Sequence, residues 1–186
     1  MYITRHGESI ANLSNIIGGN SSISENGKLY SKKLYDYISK KYNNKEIIIY
    51  TSKLNRTKET AKYFKNNNYT IIEFELLNEI NAGIFEELTY TEFENINKIE
   101  FNKRKNNKLY YKYPKGESYI DLINRVTKFL ENINKDKNIL IISHRAVIRT
   151  ILYKLLKINI IDIPYLDVKL NTIFNINNNK LIKFKK

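Results

Sequence analysis

The sequence has 186 residues, 42% of them apolar, which suffices for one globular domain (1–186) with its own core and leaves little room for a second. It has no cysteine and only two histidines, with no carboxylate cluster beside them, so disulfides are excluded and neither a metal nor another cofactor is expected. The net charge of +13 would suit nucleic acid, but lysine outnumbers arginine by 26 to 6, as A/T-rich codons give irrespective of function, and no nucleic-acid-binding motif supports such a partner.

Short apolar runs alternate with longer amphipathic runs along the chain. Strands are predicted at 1–4, 46–50, 70–74, 138–142, 172–176 and 180–184. Helices are predicted at 26–42, 54–64, 89–105, 118–134 and 144–156. This order predicts an α/β fold, a three-layer sandwich in which helices flank a mainly parallel central sheet. The two C-terminal strands resemble a hairpin, which would make that edge antiparallel.

The start of the chain carries no targeting signal that we recognise. Met1 and Tyr2 lead directly into the first motif, without a charged and then apolar leader, and no apolar run is long enough to cross a bilayer. We therefore expect a cytoplasmic protein that is neither secreted nor bound to a membrane.

Each histidine follows a predicted strand. His6 lies in an Arg-His-Gly-Glu sequence that begins at Arg5, and His144 lies in a Ser-His-Arg-Ala sequence that begins at Ser143. The carboxyl ends of parallel strands meet at one edge of a sheet, so the two histidines should lie together. A neutral imidazole is a nucleophile, and adjacent arginines both keep it neutral and bind phosphoryl oxygens. The pair predicts phosphoryl transfer through a phosphohistidine.

Two serines are predicted to cap the starts of helices beside the proposed site. Ser118 opens a Ser-Tyr-Ile-Asp capping box, which places Tyr119 in the first turn of a helix. Ser143 is expected to cap the helix that begins near His144, leaving free backbone N–H groups that would favour a bound phosphate.

The chain has few arginines, and most of them lie in or beside the motif segments. Arginine offers a planar, bidentate fork for phosphate, which is the expected reason for its presence in a lysine-rich chain. Five of the six arginines lie in or beside motif segments: Arg5, Arg56, Arg104, Arg145 and Arg149.

A leaving alkoxide needs a proton, which a carboxyl group beside the phosphate can supply. Glu79, which follows the third predicted strand, is the preferred donor. Glu86 and Glu87 are alternatives, although both could also be ordinary surface carboxylates that follow Gly83.

Further segments match a known pattern: 5–9 with Asn12, 17–19, 77–83, 86–90, 113–119 and 164–166. Together they resemble the histidine phosphatase superfamily, and within it the bisphosphatase domain of the 6-phosphofructo-2-kinase/fructose-2,6-bisphosphatase family. The resemblance covers nearly the whole chain, and its most specific part is the Tyr-Pro-Lys-Gly-Glu-Ser-Tyr sequence at 113–119.

The resemblance implies a metal-free fructose-2,6-bisphosphate 2-phosphatase whose partner is a small sugar phosphate. In such an enzyme His6 would be the nucleophile and Glu79 the proton donor. The groups around the transferring phosphoryl would be Arg5, Asn12, Arg56 and His144. The residues around the sugar and its 6-phosphate would be Gly18, Tyr90, Arg104, Lys108, Tyr119 and Arg149.

The sequence departs from the family pattern at a few positions. Ser14 and Ile16 stand where the family usually has basic residues, and Arg145 stands where it usually has Gln. Arg145 and Arg149 are spaced i, i+4 on a predicted helix, so we expect Arg145 to add a cation to the 6-phosphate pocket. No kinase half precedes the first strand, so the resemblance implies a stand-alone phosphatase.

Two alternatives stay open. One is a different enzyme of the same superfamily, either a broad sugar-phosphate phosphatase or a phosphoglycerate mutase, although the length of the chain and the 113–119 segment disfavour a mutase. The other is a catalytically inactive domain that binds a phospho-ligand or nucleic acid through its basic surface, although every proposed catalytic residue is present. The sequence does not indicate an oligomeric state.

Overall fold

A central sheet organises the protein in the computed structural model, which describes residues 1–43, 45–178 and 180–184. The six strands described are β1 (Tyr2–Arg5), β2 (Ile47–Thr51), β3 (Tyr69–Glu73), β4 (Ile139–Ser143), β5 (Thr172–Asn175) and β6 (Lys180–Lys183). Their spatial order is β3-β2-β4-β1-β5-β6. The first four strands in the chain pair in parallel, and β5 and β6 form an antiparallel edge beside β1. The mainly parallel sheet and its antiparallel edge are therefore as predicted.

Helices cover both faces of the sheet. The helices are α1 (Ile10–Leu13), α2 (Glu25–Tyr42), α3 (Asn55–Thr60), α4 (Tyr90–Ile96), α5 (Lys98–Asn106), α6 (Tyr119–Asn132) and α7 (Arg145–Leu156). Short 3₁₀ helices lie at Glu75–Leu77, Gly83–Phe85, Ile160–Tyr165 and Ile176–Asn178. None of the helices in the described ranges is both long and apolar enough to span a membrane.

The central strand β4 separates two apolar layers. Leu140 and Ile142 pack into a core cluster with α2, whereas Ile139 and Ile141 pack into a second cluster with α6 and α7. All four side chains are fully buried, as the continuous apolar run predicts for a strand covered on both faces. The fold is therefore the predicted three-layer sandwich.

The predicted helix at 89–105 is two helices, because Asn97 interrupts it. The backbone of Asn97 leaves the helical region (φ −148°, ψ 79°), and its side chain accepts a hydrogen bond from the backbone N–H of Glu100 and so caps α5. Asparagine side chains compete with helical backbone bonding in this way. The break lets α4 bury Phe93 while α5 takes a separate course.

The helix predicted at 54–64 ends earlier, at Thr60. The carbonyl oxygen of Thr60 accepts a hydrogen bond from Ser31 Oγ (2.7 Å), and its hydroxyl bonds the carbonyl of Arg56 and the N–H of Gly7. These tertiary bonds replace the next turn of helix and attach α3 to the segment after β1.

Of the two predicted caps, the one at Ser118 is confirmed and the one at Ser143 is wrong. Ser118 and Asp121 form the reciprocal capping box at the start of α6. Ser143 belongs to β4, and its hydroxyl donates to the carbonyl oxygen of Leu77 (2.9 Å), so His144 occupies the cap position of α7 without a side-chain bond. The hydroxyl therefore joins β4 to the segment that leads to Glu79.

Candidate active site

A cavity of about 630 Å³ opens at the carboxyl ends of the parallel strands. It is lined by twelve of the thirteen predicted site residues: Arg5, His6, Asn12, Gly18, Arg56, Glu79, Tyr90, Arg104, Lys108, Tyr119, Arg145 and Arg149. The exception is His144, which is fully buried behind the cavity wall.

The two histidines are brought together by strand register. Arg5 on β1 is paired with Ser143 on the parallel strand β4, so the next residue of each strand, His6 and His144, leaves the sheet at the same level. Their ring centroids are 5.2 Å apart. The register thus places the histidines of two distant motifs side by side.

The His6 ring has a hydrogen bond that fixes its tautomer. The side chain is 2% exposed, and Nδ1 lies 2.7 Å from the carbonyl oxygen of Gly7. Because a carbonyl oxygen can only accept, Nδ1 carries the proton and Nε2 carries the lone pair. Burial, and then the charges of Arg5 and Arg56, lower the pKa of His6 well below its usual value. His6 is therefore a neutral imidazole with a nucleophilic Nε2.

His144 is held in the opposite tautomer by its neighbours. Arg56 Nε donates to Nδ1 of His144 (3.2 Å), so Nε2 carries the proton and donates to Ser52 Oγ (2.8 Å). Burial, and then the charge of Arg56, lower the pKa of His144 well below its usual value. His144 contacts the site through Arg56 and the adjacent His6 ring.

Two arginines flank His6 almost without exposure to solvent. Arg5 is 7% exposed, and its Nε has no hydrogen-bond partner within the described residues. Burial, and then the charge of Arg145, lower its pKa to about 10, so it stays charged at neutral pH. Arg56 is fixed by its bond to His144 and by a bond from Nη1 to the carbonyl oxygen of Gly19 (2.6 Å). A buried cation with an unsatisfied donor is suited to an anionic ligand.

Asn12 lies on α1, a short helix that the periodicity does not predict. Its Oδ1 accepts from the backbone N–H of Ser9 (3.1 Å), and Ser9 Oγ accepts from the N–H of Asn12 (3.3 Å), which is a capping box. This use of Oδ1 leaves the Nδ2 group as the part of the side chain that can donate to a ligand.

Glu79 is the only carboxylate among the described residues that line the cavity. Its Oε1 accepts from the backbone N–H groups of Ile80 (3.0 Å) and Ala146 (3.2 Å), the second of which is at the start of α7. Neither Glu86 nor Glu87, the alternative proton donors, is a lining residue. The geometry favours Glu79.

Glu86 has a structural position beside the cavity. Its carboxylate accepts from the N–H groups of Gly19 and Ala82, at 2.6 Å each. Gly18 has φ of +64°, and a Cβ atom there would come within 1.7 Å of Glu86 Oε2. Glycine at this position therefore allows the loop after α1 to approach Glu86 closely.

The other end of the cavity contains a second group of cations and tyrosines. Arg104 donates to the hydroxyl groups of Tyr90 and Tyr113, and Arg149 Nη1 donates to that of Tyr119 (3.0 Å). Lys108 lines the same cavity. Burial, and then the charges of Arg104 and Arg149, lower the pKa of its ammonium group.

The cavity is strongly electropositive. It has seven basic lining residues against one acidic residue, and none of the seven forms an ion pair with a carboxylate in the ranges described. The basic residues are Arg5, Arg56, Arg104, Lys105, Lys108, Arg145 and Arg149. Concentrated, unpaired cations favour a ligand with more than one negative group. No cluster of three or more metal-binding side chains occurs in the same ranges.

Several residues of the site were not predicted from the sequence. Lys105, Tyr111 and Tyr113 line the cavity, and Ser52 bonds His144. The aromatic residues belong to a third apolar cluster outside the sandwich. Lys105 is adjacent to the predicted site residue Arg104, which could have indicated that it lies near the cavity. The position of α5 relative to the cavity, however, depends on the break at Asn97.

Comparison with known sequences gives a consistent result. The family model described as the histidine phosphatase superfamily (branch 1) matches residues 1–179. The chain is 38% identical over 176 residues to 6-phosphofructo-2-kinase/fructose-2,6-bisphosphatase 4 of Rattus norvegicus, covering 95% of this chain and 37% of the relative. It is 34% identical to fructose-2,6-bisphosphatase of Saccharomyces cerevisiae, covering 95% and 38%. The chain thus spans under two fifths of the length of these curated relatives.

Solved structures share the fold. Bacillus stearothermophilus YhfR superposes with a TM-score of 0.82 at 23% identity, covering 98% of this chain and 93% of that one. A putative alpha-ribazole-5'-P phosphatase from Escherichia coli gives 0.80 at 18% identity, covering 97% and 92%. At these identities the likeness concerns the architecture alone.

Proposed function

The chain belongs to the histidine phosphatase superfamily (branch 1), and on that basis we propose that it hydrolyses the 2-phosphate of fructose 2,6-bisphosphate through a phosphohistidine on His6. The observation that carries the proposal is the cavity with two cationic ends, one beside His6 and one around Arg104, Lys108 and Arg149. A bisphosphorylated sugar has an anionic group for each end. The names of the relatives, which are 34–38% identical over the matched region, support the same substrate.

In the first step, Nε2 of His6 attacks phosphorus at the 2-phosphate. The bond between phosphorus and the sugar oxygen breaks, and Glu79, as the protonated acid, gives its proton to that oxygen. Fructose 6-phosphate is the product. Arg5 and Arg56 neutralise the phosphoryl oxygens during transfer, and their fixed positions reduce the reorganisation that the step requires.

In the second step, water attacks the phosphohistidine. Glu79, now a carboxylate, accepts a proton from the water, the phosphorus–nitrogen bond breaks, and phosphate leaves. His6 returns to its neutral form with the proton on Nδ1. His144 contributes by accepting the hydrogen bond from Arg56 Nε, which keeps Arg56 in position.

The proposal is tested by phosphate release without added metal from fructose 2,6-bisphosphate, fructose 1,6-bisphosphate, 3-phosphoglycerate and an aryl phosphate, using wild type and His6→Ala. We expect a preference for the first substrate that the substitution abolishes. Equal rates on all four would retain the phosphohistidine but contradict the specificity. No activity on any substrate, with salt-sensitive nucleic-acid binding that survives His6→Ala, would instead favour the inactive binding domain.

Lys108→Met should weaken binding of the bisphosphate without affecting the chemistry. Removing one cation from the second group is expected to raise the KM for fructose 2,6-bisphosphate by about 10- to 100-fold, the usual range for a hydrogen bond to a charged group. The kcat/KM for an aryl phosphate, which has no second anion, should stay within about twofold. Steady-state kinetics on both substrates measures the difference.

The matched control is Lys103→Met on α5, which removes an exposed lysine paired with Glu100 outside the cavity. An equal loss on both substrates in Lys108→Met, or the same KM effect in Lys103→Met, would contradict a 6-phosphate role for Lys108.

Arg145→Gln should weaken substrate and product binding moderately. Arg145 is exposed at the first turn of α7 and lines the cavity together with Arg149. We expect the KM for fructose 2,6-bisphosphate and the inhibition constant of fructose 6-phosphate each to rise by about fivefold, the scale of one partly solvated ion pair. Unchanged values for both constants would show that Arg145 does not serve the 6-phosphate. If inhibition by inorganic phosphate weakened instead, Arg145 would act at the His6 end, where its charge already affects Arg5.

A further inference from the structure

Arg125 on α6 contacts the segment that carries Glu79, although it does not line the cavity. Its Nη1 donates to the carbonyl oxygen of Leu76 (2.7 Å), and its Nη2 donates to the carbonyl oxygen of Glu79 (3.1 Å). Both acceptors are main-chain atoms, so the guanidinium fixes the path of the backbone through Glu79 without touching its carboxylate.

Glu117 orients this guanidinium and binds the same segment on the other side of Glu79. Its two oxygens accept from Arg125 Nε (2.7 Å) and Nη2 (2.9 Å) in a bidentate pair, and Oε2 also accepts from the N–H of Asn81 (2.9 Å). The two side chains are only 17% and 22% exposed. Bidentate, largely buried pairs of this kind hold their geometry better than surface pairs do.

The loop that contains Glu117 lies directly against the Glu79 segment. The backbone N–H of Glu117 donates to the carbonyl oxygen of Asn81 (2.9 Å). A Cβ atom at Gly116 would come within 2.4 Å of that same oxygen, so only glycine permits the approach. The main chain at 76–81 is therefore attached at Leu76, Glu79 and Asn81.

The carboxyl group of Glu79 has separate contacts, with the N–H groups of Ile80 and Ala146. We propose that Arg125 and Glu117 are positioning residues for the reaction: they hold the Glu79 backbone so that its carboxyl group reaches both the start of α7 and the leaving oxygen. The inference rests on the proposed function, in which Glu79 is the proton donor.

Placement of this kind has a large kinetic effect. A general acid must lie within hydrogen-bond distance of the atom it protonates, and a shift of about 1 Å can cost about 100-fold in rate. The effect depends on the substrate, because only a poor leaving group requires the proton. Phenyl phosphate and 2,4-dinitrophenyl phosphate transfer the same phosphoryl group but differ in this respect, since dinitrophenolate is stable as the free anion.

The experiment measures kcat/KM for both aryl phosphates in wild type, Arg125→Met, Arg125→Lys, Glu79→Gln and the control Lys128→Met. Lys128 is an exposed lysine on α6, one turn from Arg125. The parameter kcat/KM reports transfer to His6 whether or not the second step limits turnover. Both rates come from one preparation, so an unfolded fraction lowers them equally and cancels in their ratio.

We expect Glu79→Gln to lose about 100-fold or more on phenyl phosphate and less than about threefold on the dinitrophenyl ester. Arg125→Met should lower kcat/KM by about 10- to 100-fold on phenyl phosphate and by less than about threefold on the dinitrophenyl ester. Arg125→Lys keeps the charge, but its single nitrogen cannot bond the acceptors at Leu76, Glu79 and Glu117 together. It should therefore also lose more activity on phenyl phosphate than on the dinitrophenyl ester. Lys128→Met should match wild type.

Other outcomes separate the two ideas. If Glu79→Gln lost activity equally on both esters, the proton-donor role itself would fail, and the positioning role with it. If Glu79→Gln showed the substrate dependence but Arg125→Met did not, the proposed function would stand and the inference would be overturned. Full recovery in Arg125→Lys would attribute the effect to charge and would overturn it as well.

Discussion

Replacing His6 with asparagine is expected to lower the rate of phosphate release by about 10⁴-fold or more, the scale seen when a nucleophile is removed from an enzyme. The reason is that Nε2 of His6 is the nucleophile in the proposed mechanism, and burial and the charges of Arg5 and Arg56 keep it unprotonated. Asparagine retains a side-chain donor for the Gly7 carbonyl group, so the local backbone has a substitute for its hydrogen bond.

The covalent intermediate gives a second measurement. A chain with only two histidines and no cysteine has few sites for an acid-labile phosphoryl group. Brief incubation with labelled substrate and rapid quenching should label wild type and His144→Asn but not His6→Asn. His144 lies behind the cavity, so its loss should slow labelling without preventing it. Acid-labile label in His6→Asn would exclude His6 as the nucleophile.

Arg56→Lys is expected to reduce kcat/KM by about 100- to 1000-fold, the range for loss of one fixed donor to a transition-state oxygen. Lysine keeps the positive charge but has one nitrogen, whereas Arg56 bonds both His144 Nδ1 and the Gly19 carbonyl oxygen. The buried Nδ1 would lose its partner, at a cost of about 1–3 kcal/mol in the free energy of unfolding. Kinetics and denaturant unfolding measure the two effects.

The pattern across substrates distinguishes this effect from the loss of the proton donor. In the proposed mechanism Arg56 acts on the phosphoryl group, so Arg56→Lys should lower the rates on phenyl phosphate and on 2,4-dinitrophenyl phosphate by similar factors. Lys58→Met, which removes a half-buried cation that pairs with Glu73 from the same helix, should leave both rates within about twofold of wild type. A decrease of less than about threefold in Arg56→Lys would show that a point charge is sufficient at this position.

The architecture and the common location of His6 and Glu79 could be predicted from the sequence because local patterns determine them. The residues predicted for the sugar and its 6-phosphate, among them Tyr90, Arg104 and Lys108, come instead from the resemblance to a known family. Alternating apolar runs specify a parallel sheet, and such a sheet places residues that follow its strands at one edge. His6 and Glu79 meet there without any contact having been assumed. Arg145 and Arg149, four residues apart on one helix, line the same cavity, as their spacing predicts.

The remaining features depend on partners that are distant in sequence. The orientation of His144 is set by Ser52, which directly follows β2, and by Arg56 on α3. The hydroxyl of Ser143 donates to the carbonyl oxygen of Leu77 and does not cap α7. Arg125 is one polar residue on an amphipathic helix, and two of its acceptors, the carbonyl oxygens of Leu76 and Glu79, are backbone atoms, which leave no trace in the side-chain pattern.

The pairing of β1 with β4 also concerns how the protein folds. Residues 6–138 separate these strands in the sequence, so their contact closes a long loop, which is among the slower events in folding. During synthesis, β1 emerges early and must wait for β4 before the two histidines can meet. Partly folded chains therefore lack the assembled site, which forms only when the central sheet closes.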